Sequence, residues 1–136
     1  MNKNFYQLIA FPTFDTNNGV LAMFAETVPF QIKRVLCMRG MTGDAIRGGH
    51  THHKTRQILL ALSGACTVDL NNGRGEKTTV RLDALNTGLL LEPYTWHTMK
   101  NFADNTVLLV LASTLYDERD YIRNYNEFLS LVATQQ

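Results

Sequence analysis

Along most of the chain apolar and polar positions alternate with a period of two, in runs too short for helices. Apolar-rich runs at Tyr6–Ala10, Val20–Ala25, Gln31–Met38, Arg56–Leu62, Ala65–Leu70, Lys77–Leu82, Gly88–Leu91, Thr95–Met99 and Thr106–Ser113 predict β-strands. Turn residues separate many of them: Asn17-Asn18-Gly19, Met41-Thr42-Gly43-Asp44, Ser63-Gly64 and Asn71-Asn72-Gly73-Arg74-Gly75. The stretch from Arg56 to Leu82 reads as an antiparallel meander, with two strands flanking Ser63-Gly64 and a third after the Asn/Gly-rich turn. Many short strands at roughly 8–12-residue spacing point to a sandwich or a barrel. Only the C-terminal end changes period. Tyr125, Phe128, Leu129 and Val132 recur at helical spacing behind Asn124, a good N-cap with Glu127 three residues on, so a helix is expected over 124–132. The expectation is one all-β domain over 1–136 with a short C-terminal helix.

Composition narrows the partners. The 136 residues include 45% hydrophobic and 18% charged residues, with a net charge of +1. This is a globular balance, with no basic excess to recommend nucleic acid or an anionic membrane. No apolar run approaches the roughly 20 residues that span a bilayer. The first residues, Met1 to Gln7, lack the apolar stretch and cleavage site of a signal peptide, so a cytoplasmic protein is expected. Cys37 and Cys66 stand alone in apolar runs, without a CxxC pair, and read as two buried reduced thiols.

The histidines carry the chemistry. His50, His52 and His53 cluster behind Arg47-Gly48-Gly49, and the fourth is His97. On a strand His50 and His52 share one face while His53 points away. The series His50, His52, Gln57, Gly64, followed by Gly88, Pro93, His97, Asn101, resembles the two halves of the cupin (double-stranded β-helix) signature, with the Pro-to-His spacing one residue short. That resemblance implies a jelly-roll barrel. In metal-binding cupins the position of Gln57 is a glutamate; an amide is a poor hard-cation ligand, which argues against a metal site. Unligated imidazoles are free to move protons near neutral pH. His97 reads either as a histidine packed in an aromatic-walled barrel or as a direct participant. Arg34 and Arg47 have the fork geometry for a phosphate or a plain surface role. The run Asp117-Glu118-Arg119-Asp120 reads as a solvated charged stretch.

Nearly end to end, the chain also resembles the dTDP-4-keto-6-deoxy-D-glucose 3,4-ketoisomerases, small cupins acting on nucleotide sugars. The resemblance rests on Pro29 to Val35, on Arg47 to Lys54, on Gly88-Leu89 leading to Trp96-His97-Thr98-Met99, and above all on Tyr116-Asp117-Glu118 with Asp120 to Leu129. It implies an isomerase that moves a ketone from C4 to C3 through an enediol, with no metal and no redox cofactor, in dTDP-deoxyamino-sugar biosynthesis. It implies His50 and His52 as the proton-shuttling pair, and Arg34, Arg47, Gln57, Tyr94, Trp96 and His97 as substrate-binding residues. It further implies a homodimer that exchanges N-terminal strands from residues 1–30. One departure stands out. The family commonly carries aromatic residues, often tyrosine, after the Arg-Val that matches Arg34-Val35, where this chain has Leu36 and Cys37. Two other readings compete: a metal-dependent cupin enzyme, which Gln57 opposes, and a non-catalytic sugar-nucleotide-binding cupin, which Leu36 and Cys37 favour.

Overall fold

A run of apolar residues from Ile58 to Leu62 organises the barrel, because five successive positions, Gln57–Ala61, are buried and the strand therefore has covered faces on both sides. The computed structural model describes residues 4–135. In chain order the strands are β1 (Tyr6–Ala10), β2 (Thr13–Thr16), β3 (Gly19–Ala22), β4 (Arg34–Arg39), β5 (Arg47–His52), β6 (Gln57–Ser63), β7 (Cys66–Asn71), β8 (Lys77–Leu82), β9 (Thr87–Leu91), β10 (Trp96–Lys100), β11 (Val107–Ala112) and β12 (Tyr121–Ile122). One helix, α1 (Tyr125–Ala133), follows. Two antiparallel five-stranded sheets, ordered β1-β9-β6-β11-β4 and β12-β5-β10-β7-β8, form the cupin-type jelly roll, and β2-β3 make a separate hairpin.

Inward-facing side chains of both sheets meet in one cluster, with Leu59, Leu89, Leu91, Leu108 and Val110 from the first sheet against Val68, Leu70 and Met99 from the second. The outer face of the first sheet is covered as well. Ile58, Leu60, Leu90 and Leu111 pack under Phe11, with Phe24, Val28, Phe30 and Ile32 over them. This second layer explains why β6 is continuously apolar while β8, with an uncovered face, alternates. On the outer face of the second sheet, α1 seats Phe128 and Val132 against Ile122, Tyr94 and Trp96. The helix starts as its cap predicts: the Glu127 N–H donates to Asn124 Oδ1 at 2.9 Å.

The expected meander holds for its second half only. β7 and β8 pair in register from Cys66↔Leu82 to Asn71↔Lys77, but β6 pairs with β9 and β11, while β7 pairs with β10 and β8. At Ser63-Gly64 the chain passes from one sheet to the other. Gly64 (φ +73°) packs so tightly on Thr106 that a Cβ would lie 2.6 Å from the Thr106 Cα, so the corner admits no side chain. Cys66 is buried as expected, whereas Cys37 is exposed, because on β4 it alternates with the inward-facing Leu36 and Met38. Among the described residues no helix is long and apolar enough to cross a membrane.

Candidate active site

One end of the barrel opens into a cavity of about 400 Å³. Its wall follows the period of two strand by strand: Leu36 and Met38 on β4, His50 and His52 on β5, Gln57 and Leu59 on β6, His97 and Met99 on β10. Arg47, Val110, Tyr121 and Arg123 complete most of the lining. A bulge sets the histidines in phase. β10 pairs His97 with His50 but Thr98 with Gly48, so Gly49 is the extra residue between them. Gly48 (φ +81°) allows the close approach, since a Cβ there would meet the His97 carbonyl oxygen at 2.9 Å.

Three imidazoles and a phenol result at close quarters. The His50 ring centroid lies 4.7 Å from His97, 5.2 Å from His52 and 5.2 Å from Tyr121, and His52 lies 4.4 Å from Tyr121. His97 is 2% exposed and places Nδ1 3.2 Å from the Thr95 carbonyl, to which it donates. His52 is 3% exposed, with Nδ1 3.2 Å from Asp120 Oδ2. His50 Nδ1 is buried without a hydrogen-bond partner among the described residues. Among the described residues no group of three or more His, Cys, Asp or Glu side chains is arranged to hold a metal ion.

Burial keeps these rings neutral. It pushes His97 down to about 3, reinforced by His50, and His52 down to about 4, where repulsion from His50 adds to it and Asp120 opposes it. His50 is lowered too, by burial first and then by the Arg123 charge. Neutral rings at neutral pH are proton acceptors, and each becomes a strong acid once protonated.

Charged groups line and border the cavity. Arg47 lines the cavity, with Nη2 3.5 Å from Met38 Sδ. Arg34 stands next to the cavity: its Nη1 donates to the Tyr121 hydroxyl at 3.4 Å, and its guanidinium lies 5.7 Å from the Tyr116 ring. Arg123 stacks 4.3 Å over the Tyr121 ring and is held by Glu118 at 2.8 Å. Gln57, 7% exposed, presents its amide from β6.

His50, His52, Arg47, Gln57 and His97 thus meet in one cavity, with Arg34 at its border. Tyr94 and Trp96 do not join them. Trp96 precedes His97 on β10 and so faces outward, 5.2 Å from Tyr125 and 5.4 Å from Phe128 beneath α1. The Tyr94 hydroxyl is 2.9 Å from His53 Nδ1, away from the cavity. The reading of 117–120 as a solvated stretch is also corrected. Asp117 and Arg119 pair at the surface, but Asp120 is 5% exposed and bound to His52. Tyr121 and Arg123 are further groups that the sequence reading missed, and Tyr121 brings a phenol into a cavity where β4 offers Leu36. A faint signal existed: an aromatic residue directly after the charged run, on a two-residue strand that pairs Tyr121 with His52.

Comparison with known proteins agrees with this geometry. A protein-family model, FdtA (WxcM-like, C-terminal), matches residues 4–133. The TDP-4-oxo-6-deoxy-α-D-glucose-3,4-oxoisomerase of Aneurinibacillus thermoaerophilus is 38% identical over 129 residues, which cover 93% of this chain and 92% of that protein. A histidine-to-asparagine variant of the 3,4-ketoisomerase QdtA from Thermoanaerobacterium thermosaccharolyticum, solved with TDP-4-keto-6-deoxyglucose, superposes with a TM-score of 0.94 at 33% identity, covering 98% of each chain. The WlaRB TDP-quinovose 3,4-ketoisomerase of Campylobacter jejuni gives a TM-score of 0.88 at 35% identity, covering 94% of this chain and 99% of that one.

Proposed function

This chain belongs to the FdtA family, and we propose that it is a 3,4-ketoisomerase that moves the keto group of dTDP-4-keto-6-deoxy-D-glucose from C4 to C3. The observation that carries this reading is the meeting of His50, His52 and His97 as neutral imidazoles in a single cavity. The 38% identical oxoisomerase and the QdtA complex supply the substrate class.

The reaction needs a base at C3, a proton for C4, and donors that hold the negative oxygen between those steps. A neutral imidazole removes the C3 proton; the electron pair forms the C3–C4 double bond, and the former carbonyl oxygen becomes an enediolate. Return of a proton to C4, with loss of the O3 proton, leaves the ketone at C3. We assign the shuttle to His50 and His52, which share one face of β5. Arg47 and Arg34 are the cations for the diphosphate or the enediolate, and Gln57 and His97 offer hydrogen-bonding groups to the sugar. Tyr94 and Trp96, outside the cavity, support the sheet and α1 instead. The product is a 3-keto sugar suited to deoxyamino-sugar synthesis, and we place the reaction in the cytoplasm.

In the direct test, protein dialysed against a strong chelator is given the 4-keto nucleotide sugar, and the product is followed by proton NMR. Conversion to a 3-keto sugar at the undialysed rate is expected. A rate that disappears on dialysis and returns with iron, manganese, nickel or zinc would instead establish the metal-dependent reading.

We also propose a homodimer formed through the N-terminal strands. β1 is an edge strand, and the β2-β3 hairpin leaves Phe14, Val20 and Leu21 more than half exposed, an apolar surface suited to a second copy. Sedimentation should give twice the 15.4 kDa mass of the chain, and Phe14→Asp with Leu21→Asp should return it to one.

A further inference from the structure

Moving a ketone from C4 to C3 transfers a proton between two carbons, from C3 to C4, and another between two oxygens, from O3 to O4. The imidazoles account for the first. The second runs between neighbouring oxygens, and a phenol suits it, because its oxygen donates and accepts at one atom. Among the described residues that line the cavity, Tyr121 alone carries a hydroxyl. Alternation on β12 turns its neighbour Ile122 outward beneath α1 and Tyr121 inward, level with His52, its pairing partner on β5. The Tyr121 ring lies 4.4 Å from that of His52 and 5.2 Å from that of His50.

The hydroxyl is only half committed. Arg34 Nη1 donates to it at 3.4 Å, and among the described residues nothing accepts its own proton, which is free for a ligand in the cavity. Cations flank the ring, with the Arg123 guanidinium 4.3 Å and the Arg34 guanidinium 6.0 Å from its centroid. Tyr116 packs 5.8 Å away and spends its hydroxyl on Glu118 at 2.6 Å, and Glu118 in turn pairs with Arg123. Fixed positive charge beside an oxygen favours its passing through a negative state. We propose that Tyr121 is a further catalytic residue, whose hydroxyl carries the proton from O3 to O4. The assignment rests on the ketoisomerase reading.

The step balances in two halves. As an imidazole takes the proton from C3, the C3–H electron pair enters the C3–C4 double bond. The carbonyl pair moves to O4, which takes the Tyr121 proton. An enediol and a phenolate result, the phenolate facing Arg34 and Arg123. The phenolate then takes the O3 proton, and that O–H pair forms the new carbonyl at C3. The double-bond pair takes the imidazolium proton at C4. Imidazole and phenol both end as they began, and no oxidant or reductant enters.

Tyr121→Phe tests this, because it keeps the ring against His52 and Arg123 and removes only the oxygen. In the variant kcat should fall by about 100-fold or more with KM within about threefold. A second readout separates chemistry from packing. In deuterated buffer the imidazole step still exchanges the C3 proton, but the enediolate returns to substrate more often than it goes on. Exchange at C3 relative to product formation should therefore rise by about tenfold or more. Tyr116→Phe, which removes a hydroxyl outside the cavity lining, should lose no more than about threefold in kcat. The proposal is overturned by a folded Tyr121→Phe protein with near wild-type kcat, or by exchange and isomerisation that fall in equal proportion. A Tyr116→Phe protein as slow as Tyr121→Phe overturns it too. So does a Tyr121→Phe chain that circular dichroism shows unfolded, since the hydroxyl would then serve as a structural bond to Arg34. In each of these cases a wild type that isomerises the sugar leaves the ketoisomerase reading standing. A wild type that neither exchanges C3 nor forms product removes that reading, and this assignment with it.

Discussion

Replacing His50 with asparagine is expected to lower kcat by about three orders of magnitude while leaving the fold and the affinity for TDP close to wild type. The size of the effect follows from its place in the site. His50 sits between His97, His52 and Tyr121, with ring centroids 4.7 to 5.2 Å away, among the polar side chains that line the cavity. A positioned acid or base contributes roughly 10²–10⁴ in rate, and asparagine supplies neither. The fold should tolerate the change. The pairing of His50 with His97 is a backbone register, the ring is only half-buried, and an amide remains polar at the cavity wall. Steady-state kinetics, TDP calorimetry and circular dichroism together check the prediction. A loss of TDP affinity as large as the loss of turnover would make His50 a binding residue instead.

Acid should weaken the fold well before its carboxylates titrate. His97 and His52 have ordinary values of 6.5 and are pushed to about 3 and about 4 by burial among other imidazoles. Below 6.5 the unfolded chain takes up protons that the folded chain refuses. Stability is therefore full above about pH 7 and falls with decreasing pH until the folded values are reached. Each group costs about 1.4 kcal/mol per pH unit within that window. Between pH 7.5 and pH 5 the loss is about 2 kcal/mol for each ring, or a fall in Tm of about 14 °C for the two together. Calorimetry across this range measures it. His97→Asn should start from a lower Tm, because a packed ring is lost, but should show roughly half the acid slope. A Tm independent of pH from 7.5 to 5 would mean that the buried rings are already charged.

The parts of the site that could be read from sequence were those carried by strand period. His50 and His52 share a face because they are two apart, and β1 and β8 fall at the expected residues. The same rule also set Trp96 apart from His97, its neighbour on β10; resemblance to the family drew Trp96 towards the sugar, and alternation placed it beneath α1. Cys37 is the same case on β4, between two cavity-facing residues. Other features had no local signal. Where β6 leaves its sheet at Gly64 depends on Thr106, forty-two residues further along the chain. Asp120 sits in a run of charges that its immediate neighbours leave exposed, and it is buried only because β12 adds to the edge of β5. Tyr121 follows from the same edge pairing, so Asp120 and Tyr121 both trace to one two-residue strand too short to leave a pattern.

Proton NMR of the reaction in deuterated buffer tests the central claim most directly, that imidazoles in this cavity carry a proton between C3 and C4 of a keto sugar. With dTDP-4-keto-6-deoxy-D-glucose and chelator-treated protein, the expected result is a 3-keto product bearing deuterium at C4. Remaining substrate, if the first step is reversible, should lose its C3 proton signal. Folded protein and intact substrate with no exchange at C3 would contradict the account, leaving a cupin that binds the sugar nucleotide without turning it over.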